Sequence, residues 1–599
     1  MIIIFSFISH HYLSLKFLNA ELFYVFKIIL FINLPVSIQL SFTSFGAAVK
    51  TKFLAMILAV LFCACSSEET EIHIDQQAKN SALNTILGGD IRAHIEILAD
   101  DDMQGREAGT EGYQRAVNYV LDQYKAIGLK PISDSNTYLQ PINFFETRLI
   151  PESAEMSLEK NNQSLKLIFR DDFIQSGSFG DAEEHINAPL IFVGYGIVAP
   201  EYGHDDYKNL DVKGKILVML SGAPPSFGTD QRAFYSSRSG KAAVAASREA
   251  AGIIRVRTPI DQKRFNWERY LPGIGSPGMR WIQQDGQPFE GHPELIGSAL
   301  LSESGAKKLF DFSNINLEEI FVTREQGITG SFDMNINAKL ARRSLQREIS
   351  SSNVIGLFTG SDPDLRDEYV IYTAHLDHIG VRPTGSGDDI HNGAYDNAAG
   401  IGIILDIAQA VGSMPIKPRR SIIFAAVTAE EKGLQGSSYF AKNPPVAVNS
   451  ILANINIDMP YLGFPVNDVV AFGAEHSSLY DAVLKATTEL GMELTPDPLP
   501  HEVRFVRSDQ FSFVKAGIPA IGFKAGSQSL DDNYDGDHML DDFLKNHYHK
   551  ASDDLSLSFS HEGAERFARA GFLTGLYIAN DEQRPQWNEN DFFGEKFAP

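Results

Sequence analysis

The sequence predicts an α/β fold in which a mixed, mostly parallel central sheet is flanked by helices and carries a β-rich inserted domain. After residue 346, apolar β-rich runs alternate with segments of helical periodicity, a pattern typical of a parallel sheet covered on both faces. Between 150 and 345, short strands alternate with turns and helical periodicity is scarce. At 599 residues, the chain is also longer than a single hydrophobic core usually supports.

These changes in pattern divide the chain into segments. We expect an α/β domain built from 83–149 and 346–582, interrupted by the insert at 150–345. A tail follows at 583–599, and a polar linker at 65–82 precedes the domain. Residues 1–64 are expected to be a mis-called upstream extension followed by a signal peptide.

The N-terminal signal is recognised by its three parts. Lys50 and Lys52 precede the apolar run Phe53–Phe62, and Ala64-Cys65 follows it. A basic start, an apolar core and a small residue before the cleavage point are typical of a secretory signal. The Ala-Cys ending resembles a bacterial lipoprotein signal, which implies lipidation of Cys65. We therefore expect an exported protein, either a lipoprotein of the bacterial periplasm or outer membrane or a secreted form.

Charge and cysteine content exclude several classes of function. The net charge of −24 opposes binding to nucleic acid and electrostatic docking on anionic lipid. Membrane contact is thus expected only through the N-terminal lipid anchor. Both cysteines, Cys63 and Cys65, lie in the signal, so the body of the protein has neither a disulfide nor a thiolate ligand. The sequence indicates no oligomeric state.

The α/β segments show elements in alternation. An early helix is predicted at Ile91–Leu98, and a second helical pattern ends at Gly128. The predicted strands are Val354–Phe358, Tyr369–Thr373, Ser421–Val427, Ile451–Ile457, Val469–Phe472 and Ala520–Phe523. The predicted helices between and after them are Ala398–Val411, Leu434–Ala441, Ser477–Leu490 and Glu562–Ile578.

Polar side chains follow several of these strands, where α/β proteins place their chemistry. They are His375 and Asp377, Glu430 and Glu431, Asp458, and a later loop with Tyr548-His549. Histidines and carboxylates that converge on one sheet edge repel one another unless cations neutralise them. Nitrogen and oxygen ligands without sulfur favour zinc, with Mn²⁺ or Co²⁺ as alternatives. Two such ions can share a carboxylate and hold a hydroxide between them.

Each residue alone also has an ordinary explanation. Adjacent Glu430 and Glu431 are typical of a solvated helix start that the helix dipole favours. Asp396 and Asp458 could be helix caps or turn residues. Five other histidines are expected at the surface or behind the ligands: His378, His391, His501, His538 and His547.

Five motifs in one order resemble the co-catalytic di-zinc aminopeptidases of clan MH, of the bacterial leucyl aminopeptidase type. The resemblance covers about 83–582, and GREAGTEGY (105–113) resembles the N-terminal piece of that family. It implies a zinc exopeptidase fold and peptide substrates. The motifs are HLD (375–377), GAYDNAAG (393–400), EEKGLQGS (430–437), IDM (457–459) and YHKASDD (548–554).

The resemblance assigns roles to the residues at these positions. Asp396 would bridge two zinc ions, with His375 and Asp458 completing one site and Glu431 and His549 the other. Asp377 would accept a hydrogen bond from His375, and Glu430 would be the general base toward a water activated by both ions. Tyr548 could assist the oxyanion. Arg507 lies in an RSD stretch that resembles the one near the family's substrate pocket.

Other functions stay open at this point. GYGIVAPEYGHDDYKNLDVKGKILVML (194–220) resembles a protease-associated (PA) domain, which such enzymes often carry as an insert. The same fold also serves carboxypeptidases or dipeptidases of the glutamate-carboxypeptidase type and single-zinc glutaminyl cyclases. A non-catalytic, receptor-like homologue is a further alternative, although the intact Glu430 and ligand set oppose it.

Overall fold

The computed structural model describes residues 75–132, 136–327, 330–383 and 387–598, together with three short strands near the N-terminus. These strands pair antiparallel and belong to a unit of residues 1–73, separate from the unit 74–599; they are Phe7–Ile8, Tyr12–Leu15 and Phe26–Ile28. The predicted signal core and Cys65 lie outside the described residues. Among the helices that the structure describes, none has the length and apolar character needed to cross a bilayer.

The central sheet of the second unit has the predicted mixed and mostly parallel character. Tyr369–His375 runs parallel to both of its neighbours, Ser421–Val427 and Ile451–Ile457. Every residue of these two neighbours is buried, as expected for strands covered on both faces. In spatial order the sheet contains Glu493–Leu494, Asp468–Phe472, Ala520–Ala525, Ile451–Ile457, Tyr369–His375, Ser421–Val427 and Phe332–Phe358.

Helices pack against this sheet. Ala399–Ser413 is apolar around most of its circumference and contacts both Gly88–Leu98 and His561–Asn580. Its burial by helices as well as strands explains why it lacks a polar face. The other helices of the sheet-flanking segments are Gln76–Leu83, Glu111–Ile127, Gln435–Lys442, Leu479–Glu489, Gln510–Val514 and Gly536–Asn546. The predicted helices of the α/β segments are therefore present, displaced by no more than a turn.

One long strand, Phe332–Phe358, connects the central sheet to the strands of the insert. Its first residues pair with Glu183–Phe192, its middle with Leu139–Leu149, and its last five with Ser421–Val427. Beyond Glu183–Phe192 the sheet continues through Ile216–Leu220, Gly252–Val256, Gly297–Leu301 and Phe173–Ile174. Glu183–Phe192 and the first three of these strands are parallel to one another, whereas Phe173–Ile174 is antiparallel to its neighbour. Smaller strands are Glu155–Lys160, Gln163–Leu167, Val198–Ala199, His204–Asp205, Gly278–Trp281, Gly380–Val381 and Ile390–His391.

The insert contains more helix than the sequence analysis predicts. Its described residues form five helices: Thr229–Tyr235, Arg238–Ser247, Pro259–Arg264, Glu303–Phe312 and Leu317–Glu325. Four of the five begin at a side chain that accepts from their first turn: Ser237, Thr258, Ser302 and Asn316. These helices are too short for a long periodic pattern, which is why caps mark them better than periodicity does.

The tail ends in the helix Phe592–Phe597, which contacts both the insert and the segment that follows it. Phe593 is fully buried against Phe505 and Phe511 of the segment that follows the insert. Phe592 and Phe597 contact Phe234 of the insert. The tail thereby joins the insert to the loops beside the central sheet.

Candidate metal centre

The site lies at the carboxyl ends of three neighbouring strands. His375 is the last residue of Tyr369–His375, and Asp458 directly follows Ile451–Ile457. Glu430 and Glu431 come three and four residues after Val427, the end of Ser421–Val427. Because these strands are parallel, their carboxyl ends meet at one edge of the sheet.

Asp396 lies at the centre of this group. It sits in the turn Ala394–Ala398, immediately before the helix Ala399–Ser413, and is 2% exposed. One carboxylate oxygen, Oδ1, lies 3.2 Å from His375 Nε2. The other, Oδ2, lies 3.2 Å from His549 Nε2. The carboxylate thus stands between two imidazoles.

Each imidazole also approaches a second carboxylate. His375 Nε2 lies 3.2 Å from Asp458 Oδ1, and His549 Nε2 lies 3.3 Å from Glu431 Oε2. Ligands bound tetrahedrally at zinc distances of about 2.0–2.1 Å are separated from one another by about 3.3 Å. The spacing of the donors therefore matches that of two sets of three zinc ligands, here called triads. One triad is His375, Asp396 and Asp458, and the other is Asp396, Glu431 and His549.

The surroundings of these donors also fit a divalent cation. Asp396 Oδ2 and Glu431 Oε1 are buried, and no N–H or O–H of the described residues points at either with hydrogen-bond geometry. Burial would raise the pKa of Asp396, but the imidazoles of His375 and His549 hold it well below its usual range. Buried carboxylates that stay ionised without donors require cations.

The carboxylate of Asp377 differs from the prediction. His375 Nδ1 lies 3.0 Å from the main-chain oxygen of Asp377, so that ring nitrogen is held by the backbone. The Asp377 carboxylate instead accepts from the N–H groups of Glu430 and Glu431, at 3.0 and 3.3 Å. These N–H groups lie beyond the end of the strand and need an acceptor. Asp377 therefore orients the pair Glu430–Glu431.

His378 is also placed differently from the expectation. It is fully buried, with Nδ1 2.9 Å from Glu431 Oε1 and 3.8 Å from Asp396 Oδ2. Neither atom of the 2.9 Å contact has a hydrogen-bond partner among the described residues, so His378, Asp396 and Glu431 form a further group of donors that could hold a metal ion. His391 is buried as well, whereas His501 and His538 are exposed. The sequence offered no means to separate His378 from the surface histidines.

Glu430 lies beside both triads without belonging to either. The preceding Ala429 has a left-handed backbone, with φ of 54°, which directs the Glu430–Glu431 turn toward the site. Burial raises the pKa of Glu430 well above its usual range, and the nearby charges of Glu431 and Asp509 raise it further. A carboxylate in such surroundings is suited to take up a proton.

Two residues that the sequence analysis left without a role hold the loop of Asp396. Asp553 is fully buried and accepts from the N–H groups of Tyr395 and Asp396, at 2.9 and 3.0 Å. Arg106 is 1% exposed and donates to four main-chain oxygens, those of Leu98, Leu376, Asn392 and Gly393. Both occur in the quoted motifs, but motif spacing alone does not show what they contact.

Asn397 joins the loop of Asp396 to the strand end that carries Asp458. Its Nδ2 donates to Ile457 O at 3.0 Å, and its Oδ1 accepts from Met459 N at 3.1 Å. Met459 and His549 have left-handed backbones, with φ of 49° and 60°. Such conformations are uncommon for residues with a side chain and concentrate at functional sites.

The site opens into a cavity of about 1450 Å³. Glu430, Glu431 and His549 line it, together with Tyr548 and Arg507, the two residues predicted to face substrate. Arg507 is exposed, and Tyr548 lies under the guanidinium of Arg269 at 5.7 Å. The cavity therefore brings every predicted substrate-facing residue to the same space as the donors.

Residues 353–572, which carry the whole donor set, match the family described as Peptidase family M28. These residues are similar to that family and make up just over a third of the chain. Aminopeptidase NAALADL1 of Mus musculus is 35% identical over 136 residues, which are 22% of this chain and 16% of that protein. A probable glutamate carboxypeptidase of Arthroderma benhamiae is 28% identical over 225 residues, 34% of this chain and 29% of that protein. The chain thus spans less than a third of the length of either curated relative.

The fold can also be compared with a solved structure. The aminopeptidase from Aneurinibacillus sp. strain AM-1 is 17% identical to the chain, with a TM-score of 0.49. The match covers 84% of this chain and 96% of that one.

The second triad can be tested by replacing His549 with alanine and, in a control, replacing the nearby His547. His549→Ala should lower the zinc content by about one ion per chain, because it removes a nitrogen donor beside Asp396 and Glu431. His547→Ala is the matched control, since His547 Nδ1 is 3.0 Å from the main-chain and hydroxyl oxygens of Ser552 and His547 is not one of the donors. Metal analysis of both purified variants decides the assignment. Equal zinc content in the two variants would contradict it.

Proposed function

We propose that the chain is a metal-dependent aminopeptidase that removes N-terminal residues from peptides. The observation that supports this most strongly is the pair of donor triads that share Asp396, with Glu430 beside them and outside both. His375 and Asp458 would hold one zinc ion, and Glu431 and His549 the other. Bound zinc would polarise the scissile carbonyl, acidify the attacking water and offset the charge of the carboxylates.

Glu430 is proposed as the general base. Its carboxylate takes a proton from the water as the new C–O bond forms at the scissile carbon. The same proton passes to the amine nitrogen when the C–N bond breaks. Asp377 supports this role, because it fixes the backbone of Glu430 through a 3.0 Å hydrogen bond.

Tyr548 and Arg507 are proposed to face the substrate. Burial raises the pKa of the Tyr548 hydroxyl well above its usual range, and Asp396 and Glu431 raise it further. The hydroxyl therefore stays protonated and can donate a hydrogen bond to the oxyanion. The carboxylates along this edge suit the cationic α-amine of an unblocked peptide.

A carboxypeptidase of the glutamate-carboxypeptidase type is the second candidate. The Arthroderma relative bears that name, and basic side chains line the cavity. A non-catalytic, receptor-like role is disfavoured because the base and all five proposed ligands are present.

The remaining proposals rest on the sequence. Lipidation at Cys65 would place the protein at the bacterial periplasm or outer membrane, with a secreted form as the alternative. The insert at 150–345 is proposed to be a PA-type domain that covers the catalytic domain formed by 83–149 and 346–582.

The role of Glu430 is tested by Glu430→Gln. The substitution should lower kcat at least about 10²-fold, because the amide cannot accept the proton. Zinc content should remain unchanged, since Glu430 belongs to neither triad. Steady-state kinetics and metal analysis of the same preparation give both values, and near-normal turnover would refute the assignment.

The type of exopeptidase is tested with matched peptides. Free-amine peptides should be cleaved and N-acetylated peptides of the same sequence should not. A chelator should abolish the cleavage and added zinc restore it. Release of the C-terminal residue from acetylated peptides would instead establish the carboxypeptidase, and chelator-insensitive cleavage would exclude the metal mechanism.

A further inference from the structure

The cavity beside the metal centre continues into the insert, where its wall is basic. The chain as a whole is acidic, with 76 Asp and Glu against 52 Lys and Arg. Yet basic side chains outnumber acidic ones along this cavity, and two of the acids are Glu430 and Glu431 themselves. The insert therefore presents a local positive charge toward the site of a strongly negative protein.

Two of these cations have no carboxylate partner among the described residues. Arg255 lies on the strand Gly252–Val256, and Arg238 begins the helix Arg238–Ser247. Arg255 is partly buried, and burial together with the charge of Arg238 lowers its pKa to about 9. Other arginines of the same wall are paired, as Arg342 is with Glu184 at 2.7 Å. Neighbouring like charges without a counter-ion favour binding of an anion.

Lys241 adds a third cation to this group. Its Nζ donates to the main-chain oxygens of Leu220 and Gly222, and it is 6% exposed. Burial lowers the pKa of Lys241 to about 7, while Asp206 and Asp261 raise it. The Asp206 carboxylate already accepts from two main-chain N–H groups, and that of Asp261 from Thr258. Among the described residues, neither carboxylate forms an ion pair with Arg255 or Arg238.

Basic residues also line the cavity between this group and the metal centre. Arg264, of the helix Pro259–Arg264, is close enough to Arg507 for the two charges to oppose each other. The charge of Arg507 in turn lowers the pKa of Tyr548, whose ring contacts that of His549. A peptide that extends from Glu430 into the cavity would therefore meet cations along its length.

We propose that Arg238, Lys241 and Arg255 form a binding site for carboxylates of the substrate, located beyond the scissile bond. The site makes the chain selective for short anionic peptides. This inference rests on the proposed function, since the anionic residues would follow the one that is removed. Two sources share the required chemistry: acidic side chains and the free C-terminal carboxylate.

Three peptides with the same N-terminal residue separate these sources: Leu-Glu-Glu amide, Leu-Gln-Gln amide and Leu-Gln-Gln with a free carboxylate. The wild-type protein should give a kcat/KM for at least one anionic peptide about tenfold above that for the neutral amide. The preference should shrink as NaCl rises from about 50 mM to about 500 mM. Which anionic peptide is preferred identifies the source.

The double variant Arg238→Gln/Arg255→Gln should lose this preference and leave the neutral amide unaffected. Arg343→Gln is the matched control, because Arg343 is exposed on Phe332–Phe358 and does not line the cavity. The exposed Arg238→Gln alone should retain the fold and lose part of the preference. Equal kcat/KM for all three peptides in the wild type, or a preference that survives in the double variant, overturns the proposal.

A failure of the aminopeptidase assignment can be distinguished from a failure of the proposed carboxylate-binding site. If the wild type, supplied with zinc, cleaves none of the peptides, the aminopeptidase assignment fails. Calorimetry with the N-acetylated forms of the same peptides then tests the site directly. Tighter binding of an anionic form that the double variant loses supports the site, and equal binding of all forms refutes it.

Discussion

The geometry of the whole site depends on the Asp396 carboxylate, which is buried between the imidazoles of His375 and His549. Each of its oxygens lies 3.2 Å from one imidazole nitrogen. A carboxylate in this position is costly in the interior unless cations compensate it. The elements around it serve to hold that charge: Asp553 and Arg106 fix its loop, and Asn397 fastens that loop to the strand end of Asp458.

The sequence was most informative about the central sheet and the donors at its edge. Apolar runs such as Ser421–Val427 and Ile451–Ile457 are buried throughout, so their limits could be read directly from composition. His375, Glu431 and Asp458 were found because each follows such a run, whereas Asp396 and His549 were found through the motifs that resemble the family. Their pairing distances could not be predicted, since these depend on Ala429, Met459 and His549 in left-handed conformations.

Other features could be recognised only in the folded structure. Asp377 was expected to accept from the ring of His375, but the free N–H groups of Glu430 and Glu431 are the donors to its carboxylate. His378 could not be distinguished from surface histidines by the sequence, although it is fully buried beside Glu431. The short helices of the insert depend on single capping residues such as Ser302, which leave little periodic pattern.

The insert provides part of the cavity wall beside the donor residues. It extends the cavity away from Glu430 and lines it with basic residues, while the tail helix Phe592–Phe597 joins it to the catalytic segment through buried aromatic contacts. The chemistry would then be set at the sheet edge, and the choice of peptide by the wall that the insert provides. The two proposed functions would thus be carried by different parts of one sheet-connected unit.

The central claim, that Asp396 is shared by two bound cations, is tested most directly by anomalous diffraction from crystals of the zinc-loaded protein. The account predicts two zinc peaks, one between His375 and Asp458 and one between Glu431 and His549, with Asp396 contacting both. A single peak, or a pair in which Asp396 contacts only one ion, would contradict it.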